Sequence, residues 1–299
     1  MTYRTSDETG ERGDGVDGPA EAAEAAEADA RWAFGTGFDD PLHGVDTALP
    51  PGLDGAVVAR CCVALADDAL VSAQRLAEWV TRAPEVEIEL ALANIGLDLL
   101  GQARLLYARA GRVDGSDRGE DDFAFLRSAE AFRCLRLAEL PRGDFAFTVL
   151  RLLVLSSARL ALLSGLAGVA DPVLAAVAGR GVTEVTYHRL FAAEWVVRLG
   201  DGTAESRRRL RRAAVAVEPW LGEVLDDEVG AGLGVAAGAV RAECARTWRR
   251  VGAEAGVRLP LPAPSGGVVG GRVGAHTPHL AALLAELQGV AREHPGAVW

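Results

Sequence analysis

From residue 55 onward the chain is built of long apolar stretches whose greasy positions recur at steps of three and four, and no run of convincing length alternates residue by residue. A stripe with a period near 3.6 can be buried only as one face of a helix, whereas a strand needs a period of two. The core is therefore expected to be all-α. The spacing predicts a helix over residues 56–81 and another over 85–110, joined by Arg82, Ala83 and Pro84, where proline suits a first helical turn. So short a joint makes the two helices antiparallel neighbours. A loop over 111–120 rich in Gly, Asp and Ser leads to a shorter helix over 122–139, and Pro141-Arg142-Gly143-Asp144 then stops the chain and restarts it. A third long helix is expected over 145–169, and Asp171-Pro172 opens a fourth that runs to Leu199.

Two long hairpins separated by a crossover element are the outline of a ferritin-like four-helix bundle with one long connection. Additional C-terminal helices are expected over 204–227, over 235–255 and from Pro278 to 291, with a Pro/Gly loop over 259–275 between the last two. The domain reading is an acidic extension over 1–54, expected to be flexible, and a single helical domain over 55–299. Its bundle occupies about 56–200 and its extra helices 204–299.

Charge narrows the function. The net charge is −11, and residues 1–54 hold 13 acids against 3 arginines, so the rest of the chain is close to neutral. No basic field of the kind that attracts nucleic-acid phosphates is present, which argues against a nucleic-acid partner. The greasiest stretch, residues 145–170, is interrupted by Arg151 and Arg159 and never reaches the ~20 apolar residues that a bilayer span needs. The start of the chain lacks the basic and apolar pattern of a signal peptide, and Cys61, Cys62, Cys134 and Cys244 lack metal-knuckle spacing. A reduced, cytoplasmic protein without a membrane partner is expected.

A bundle of this plan invites one test. Its oxygen-activating members hold two irons with a carboxylate from each of two helices and a Glu-x-x-His pair from each of the others, because residues three apart share a helix face. No Glu-x-x-His occurs here. Of the five histidines, His43, His188, His276, His279 and His294, only His188 falls in a long bundle helix, and the acid before it, Glu184, is four residues away rather than three. One imidazole cannot complete a di-iron set. No catalytic, cofactor-binding or metal residue is therefore assigned. His188 and Glu184 are expected to pair at i, i+4, and Asn94, Asp98 and Gln102, at successive steps of four, to form a polar ladder inside the bundle. No nucleophile elbow, P-loop or dinucleotide fingerprint is present, and the Gly-rich stretch 265–271 lacks the Lys-Ser/Thr of a phosphate loop. The basic run Arg207 to Arg212 would cover most of a helix circumference, as a solvated surface does; contact with an acidic partner or with coenzyme A phosphates is the sharper alternative.

Specific runs carry a likeness. Leu65-Ala66-Asp67-Asp68, Gln74-Arg75-Leu76-Ala77-Glu78-Trp79, Ala83-Pro84-Glu85-Val86-Glu87-Ile88 and above all Leu90 through Arg104 (LALANIGLDLLGQAR) resemble the C subunit (PaaC family) of the bacterial phenylacetyl-CoA 1,2-epoxidase, a ring-1,2-phenylacetyl-CoA monooxygenase. Glu184 to His188, Arg198 to Thr203, His276-Thr277-Pro278-His279-Leu280 and the terminal Pro295-Gly296-Ala297-Val298-Trp299 extend the likeness, which covers about residues 58–299. The resemblance implies a ferritin-like subunit of a multicomponent monooxygenase in phenylacetate catabolism. In such an assembly a catalytic A subunit holds the di-iron centre, a small B subunit assists assembly, and a flavin and iron-sulfur reductase supplies electrons. By analogy with the sister subunit, the second-helix Glu-x-x-His falls at Leu99 and Gln102, the fourth-helix pair at Val185 and His188, and the two remaining carboxylates near Ala69 and Ser156. Asp68 then stands one residue out of place.

The expected function is thus a non-catalytic structural subunit that pairs with the A subunit, with no cofactor in this chain, di-iron in the partner and contact with the acyl-CoA left open. The remnant polar core comprises His188, Glu184, Asp98, Gln102, Asn94 and Asp68. The alternatives are an autonomous metal or acid/base enzyme using His188, Glu184 and Asp98, and a homodimeric helical binding module.

Overall fold

Helix α1, Gly55–Ala77, starts where Asp54 accepts a hydrogen bond from the Ala56 amide at 2.8 Å. The structure is a computed structural model and describes residues 42–263, 270–295 and 297. The acidic extension expected over 1–54 lies outside the described residues up to position 41. From Gly44 onward the chain forms one structural unit. Four residues earlier than the periodicity suggests, α1 gives way to turns, and Thr81 adopts a left-handed φ of 64° that no helix accommodates.

Helix α2, Val86–Val113, runs three residues past the expected end. Gly111, expected to open a loop, is instead buried within α2. There the Arg118 backbone packs so closely that a Cβ would collide with the Arg118 carbonyl oxygen. Glycine here permits a close approach and leaves the helix unbroken.

The single crossover helix expected over 122–139 is broken into α3 (Glu120–Phe125), a turn of 3₁₀ helix at Ala129–Ala131 and α4 (Arg136–Glu139). The cause lies in α1. The Asp67 and Asp68 carboxylates accept the backbone N–H groups of Arg133 at 2.6 Å and Leu135 at 2.7 Å, holding that stretch extended against the bundle. Backbone donors taken by distant side chains are not free to close helical turns.

The second hairpin joins α5, Phe145–Leu166, to α6, Pro172–Asp201. Both starts are capped, by Asp144 on the Phe147 amide at 3.0 Å and by Asp171 on the Leu174 amide at 2.7 Å. Helix α2 packs on α6, so the two hairpins close into a ferritin-like four-helix core; no strand occurs among the described residues. Leu65, Leu92, Ile95, Leu150 and Leu153 are fully buried within it. By length and composition α5 could cross a membrane, but its apolar window is 78% buried inside the fold.

Outside the bundle, α7 (Ala204–Val217) lies against α5 and α6, and the expected continuation to residue 227 is cut by Pro219, which sits in a 3₁₀ turn before α8 (Leu221–Leu225). Helix α9, Ala237–Glu254, packs on α5 and α6, and α10, Pro278–Glu293, packs on α3 and α4.

Candidate functional site

The polar groups singled out in the sequence meet at the seam between α2 and α6, but not in the expected pairing. His188, 1% exposed, places Nε2 at 2.9 Å from Asp98 Oδ2 across the seam. Burial pulls the imidazole below its ordinary pKa and outweighs the opposing pull of the Asp98 hydrogen bond and charge, so His188 is neutral at pH 7 and Nε2–H donates to Asp98. Glu184 does not pair with His188. It accepts from Gln102 Nε2 at 2.7 Å and from Arg180 Nε at 2.8 Å. Asn94, expected in the same ladder, is exposed: the i+4 steps from Asn94 to Gln102 drift around the helix, and only the later two positions face the seam.

Behind the seam lies a cavity of about 60 Å³ to which all four bundle helices contribute, among them Leu65, Leu99, Ser156, Val185 and His188. By sequence alone, Arg159 is an interruption in a greasy run. In the structure it lines this cavity at 9% exposure and donates from Nε to Gln102 Oε1 and from Nη1 to the Leu65 carbonyl, both at 2.9 Å. Burial pushes its guanidinium down to about 10, which leaves it charged at neutral pH. The signal was present in the sequence: an arginine inside an apolar helix must find acceptors among the facing elements.

Asp68 lines the same cavity but is committed to a second cluster. Arg272 donates to it at 2.7 Å and to Asp227 at 2.6 Å, and also reaches the Arg133 and Ala64 carbonyls. Burial raises the Asp68 carboxyl above its ordinary value, against the pull of Arg272. Beside it, Arg127 pairs with Asp67, which also accepts the Tyr107 hydroxyl. Arg272 lies in a turn of 3₁₀ helix, Gly270–Val273, where a Gly/Pro loop is expected and the composition gives no hint of a buried ion pair. The preceding Gly-rich stretch lies outside the described residues over 264–269; Gly271 donates its amide to Glu223 Oε1 at 2.8 Å, and a Cβ there would strike the Cys134 carbonyl. Gly271 and its neighbour Gly270, at φ 73°, serve tight packing.

Among the described residues one cluster, Cys134, Glu139 and His276, brings three potential metal donors together. Its lone pairs are engaged. His276 faces Glu139 Oε1 from Nδ1 at 2.6 Å and the Phe132 carbonyl from Nε2 at 2.9 Å, two acceptors that call for an imidazolium, while Thr277 donates its amide and hydroxyl to the other Glu139 oxygen. The basic run on α7 is exposed, with Arg208 and Arg209 on Glu205, Arg207 on the Gly200 carbonyl and Arg212 near Asp144.

Residues 51–299 match the family model described as phenylacetic acid catabolic protein. The chain belongs to that family. It is also 39% identical over 239 residues to the C subunit of 1,2-phenylacetyl-CoA epoxidase from Escherichia coli (strain K12), a match covering 79% of this chain and 96% of that protein. The analogy with a sister subunit of the phenylacetic acid catabolic family placed di-iron ligands at Leu99 and Gln102, at Val185 and His188, and near Ala69 and Ser156. Leu99, Val185, Ser156 and His188 do converge on the cavity, with Asp68 rather than Ala69 lining it from α1. The side chains present do not suit a pair of irons: they offer one imidazole, a few hydroxyls and two acids, Asp68 and Asp227, both already held by Arg272, with the guanidiniums of Arg151 and Arg159 beside them. Ferritin-like di-iron sites offset their two irons with four carboxylates, which this lining does not offer.

Proposed function

We propose that this chain is the structural subunit of a multicomponent phenylacetyl-CoA epoxidase, non-catalytic in itself, which pairs with and stabilises a catalytic A subunit that holds the di-iron centre. A small B subunit and a reductase complete the assembly, which works in the cytoplasm. The observation that carries this reading is the identity to the C subunit of an epoxidase along nearly its whole length, in a bundle whose cavity behind the α2–α6 seam lacks an iron ligand set.

The surface supports it. Val86, Leu90 and Leu97 are exposed on α2 at steps of four and seven, and Tyr187 and Leu190 are exposed on α6. Because Asp98 and His188 join the two helices, Leu97 and Tyr187 stand beside that link and the apolar positions share one face. Exposed greasy stripes of this kind mark protein contacts. The autonomous acid/base alternative is disfavoured by His188, which is 1% exposed and already hydrogen-bonded to Asp98. The four cysteines are free and buried, as suits a reducing compartment.

Co-expression with the catalytic subunit tests the proposal. The expected result is a stable complex whose ring epoxidation falls when this chain is omitted, and no stoichiometric iron on this chain alone. Two irons held by this chain's own side chains, or full epoxidation without it, would overturn the reading.

A further inference from the structure

The cavity behind the α2–α6 seam is lined by two buried guanidiniums, Arg151 and Arg159, eight residues apart on α5 and hence on one face of it. Neither takes part in an ion pair among the described residues. Arg151 donates to the Leu140 and Pro141 carbonyls, and Arg159 to the Gln102 amide oxygen and the Leu65 carbonyl, so every acceptor they have is neutral. Nη2 of Arg159 is buried with no protein acceptor at all.

We infer that this cavity is a binding site for a small monovalent anion of halide size, held by Nη2 of Arg159 with Arg151 adding its field. The local charge count favours an anion over water alone. Asp68 and Asp227 also line the cavity, but both are committed to Arg272, which leaves three guanidiniums against two carboxylates. His188 is neutral and contributes nothing to the balance. Glu184, the next acid outward, is held by Gln102 and Arg180, and Glu78, whose charge reaches Arg151, is paired with Arg75. Burial pushes both Arg151 and Arg159 down to about 10, so both remain cationic at neutral pH. A buried cation without a counter-charge is costly, and the apolar walls of Leu65, Leu99, Leu155 and Val185 strengthen its attraction for an anion.

Size sets the chemical class. The cavity measures about 60 Å³, and a water needs roughly 10–15 Å³ by the same measure, so a bare halide with a water or two fits. An apolar cavity that takes benzene is about 150 Å³, so an aryl carboxylate does not fit. The site is therefore distinct from any acyl-CoA chemistry, and the inference stands whether or not the chain is an epoxidase subunit.

Crystals of the full chain grown in sodium bromide and measured at the bromine absorption edge test it directly. The expected result is an anomalous peak at hydrogen-bond distance from Arg159 Nη2. Equilibrium dialysis against radiolabelled chloride should also show one saturable site per chain, lost in Arg159→Met and weakened in Arg151→Met. An oxygen-only cavity with bromide confined to the surface overturns the inference, as does the absence of saturable chloride binding by the wild type. Both of those measurements need no variant and hold even if Arg159→Met does not fold.

Discussion

His188 Nε2 and Asp98 Oδ2 meet 2.9 Å apart across the α2–α6 seam, so a fully enclosed imidazole is tied to an acid that itself reaches the surface. Because the Asp98 hydrogen bond and charge raise the His188 pKa against a larger effect of burial, removing them has a defined sign. Asp98→Ala is expected to lower the His188 pKa further, read from imidazole NMR shifts across a pH titration. The folded-state value already lies below the unfolded one, so the contribution to stability is present above about 6.5 and is lost as pH falls toward the folded value. The variant should extend that loss to lower pH in urea titrations.

His276 behaves in the opposite sense. Burial pulls its pKa down, but the Glu139 carboxylate and the Phe132 carbonyl outweigh burial and the net shift is upward. Stability from this group is complete below the unfolded value of about 6.5 and disappears as pH rises through the folded pKa. The urea midpoint of the wild type is expected to decline across that window, and His276→Gln to flatten the decline. An unchanged slope in the variant would remove His276 as its cause.

The apolar face of α2 and α6 should carry the partner contact. Leu97→Asp and Leu90→Asp are each expected to weaken binding to the catalytic subunit by about 2 kcal/mol, roughly thirtyfold in Kd by calorimetry. Thermal stability of the isolated chain should shift by no more than about 0.5 kcal/mol, since both side chains are exposed. Val215→Asp, on the exposed side of α7, serves as the control that should leave binding intact.

Arg109 and Asp171 form a fully buried ion pair in which the guanidinium also donates to the Thr47 carbonyl, and Asp171 caps α6. Asp171→Ala strands that cation and removes the cap, and a loss of about 3–5 kcal/mol in urea unfolding is expected. The double variant Arg109→Met/Asp171→Leu should recover most of the loss, because the penalty comes from the unpaired charge.

The four bundle helices are legible in the sequence because their period is a local property of it. Asp144 and Asp171 mark helix starts for the same reason, each acting within three residues of itself. The crossover is not legible, since its path is set by Asp67 and Asp68 about 66 residues earlier, whose carboxylates take the Arg133 and Leu135 amides. At the site, identity is readable but partnership is not. Spacing suggests His188 with Glu184, yet each finds a better partner on α2, and helix rotation removes Asn94 from the core that its spacing implies. Arg159 and Arg272 escape notice because a charged residue in an apolar or Gly-rich stretch reads as an interruption until its distant acceptors are known.

The order in which Asp68, Asp227 and Arg272 occur along the chain bears on biosynthesis. Asp68 and Asp227 share that single guanidinium, which arrives 204 residues after the first and 45 after the second. A nascent polypeptide still short of it would emerge from the ribosome with two acids crowded together and no cation between them. The link from α1 through Arg272 to the segment after α8 can close only once residue 272 has been made.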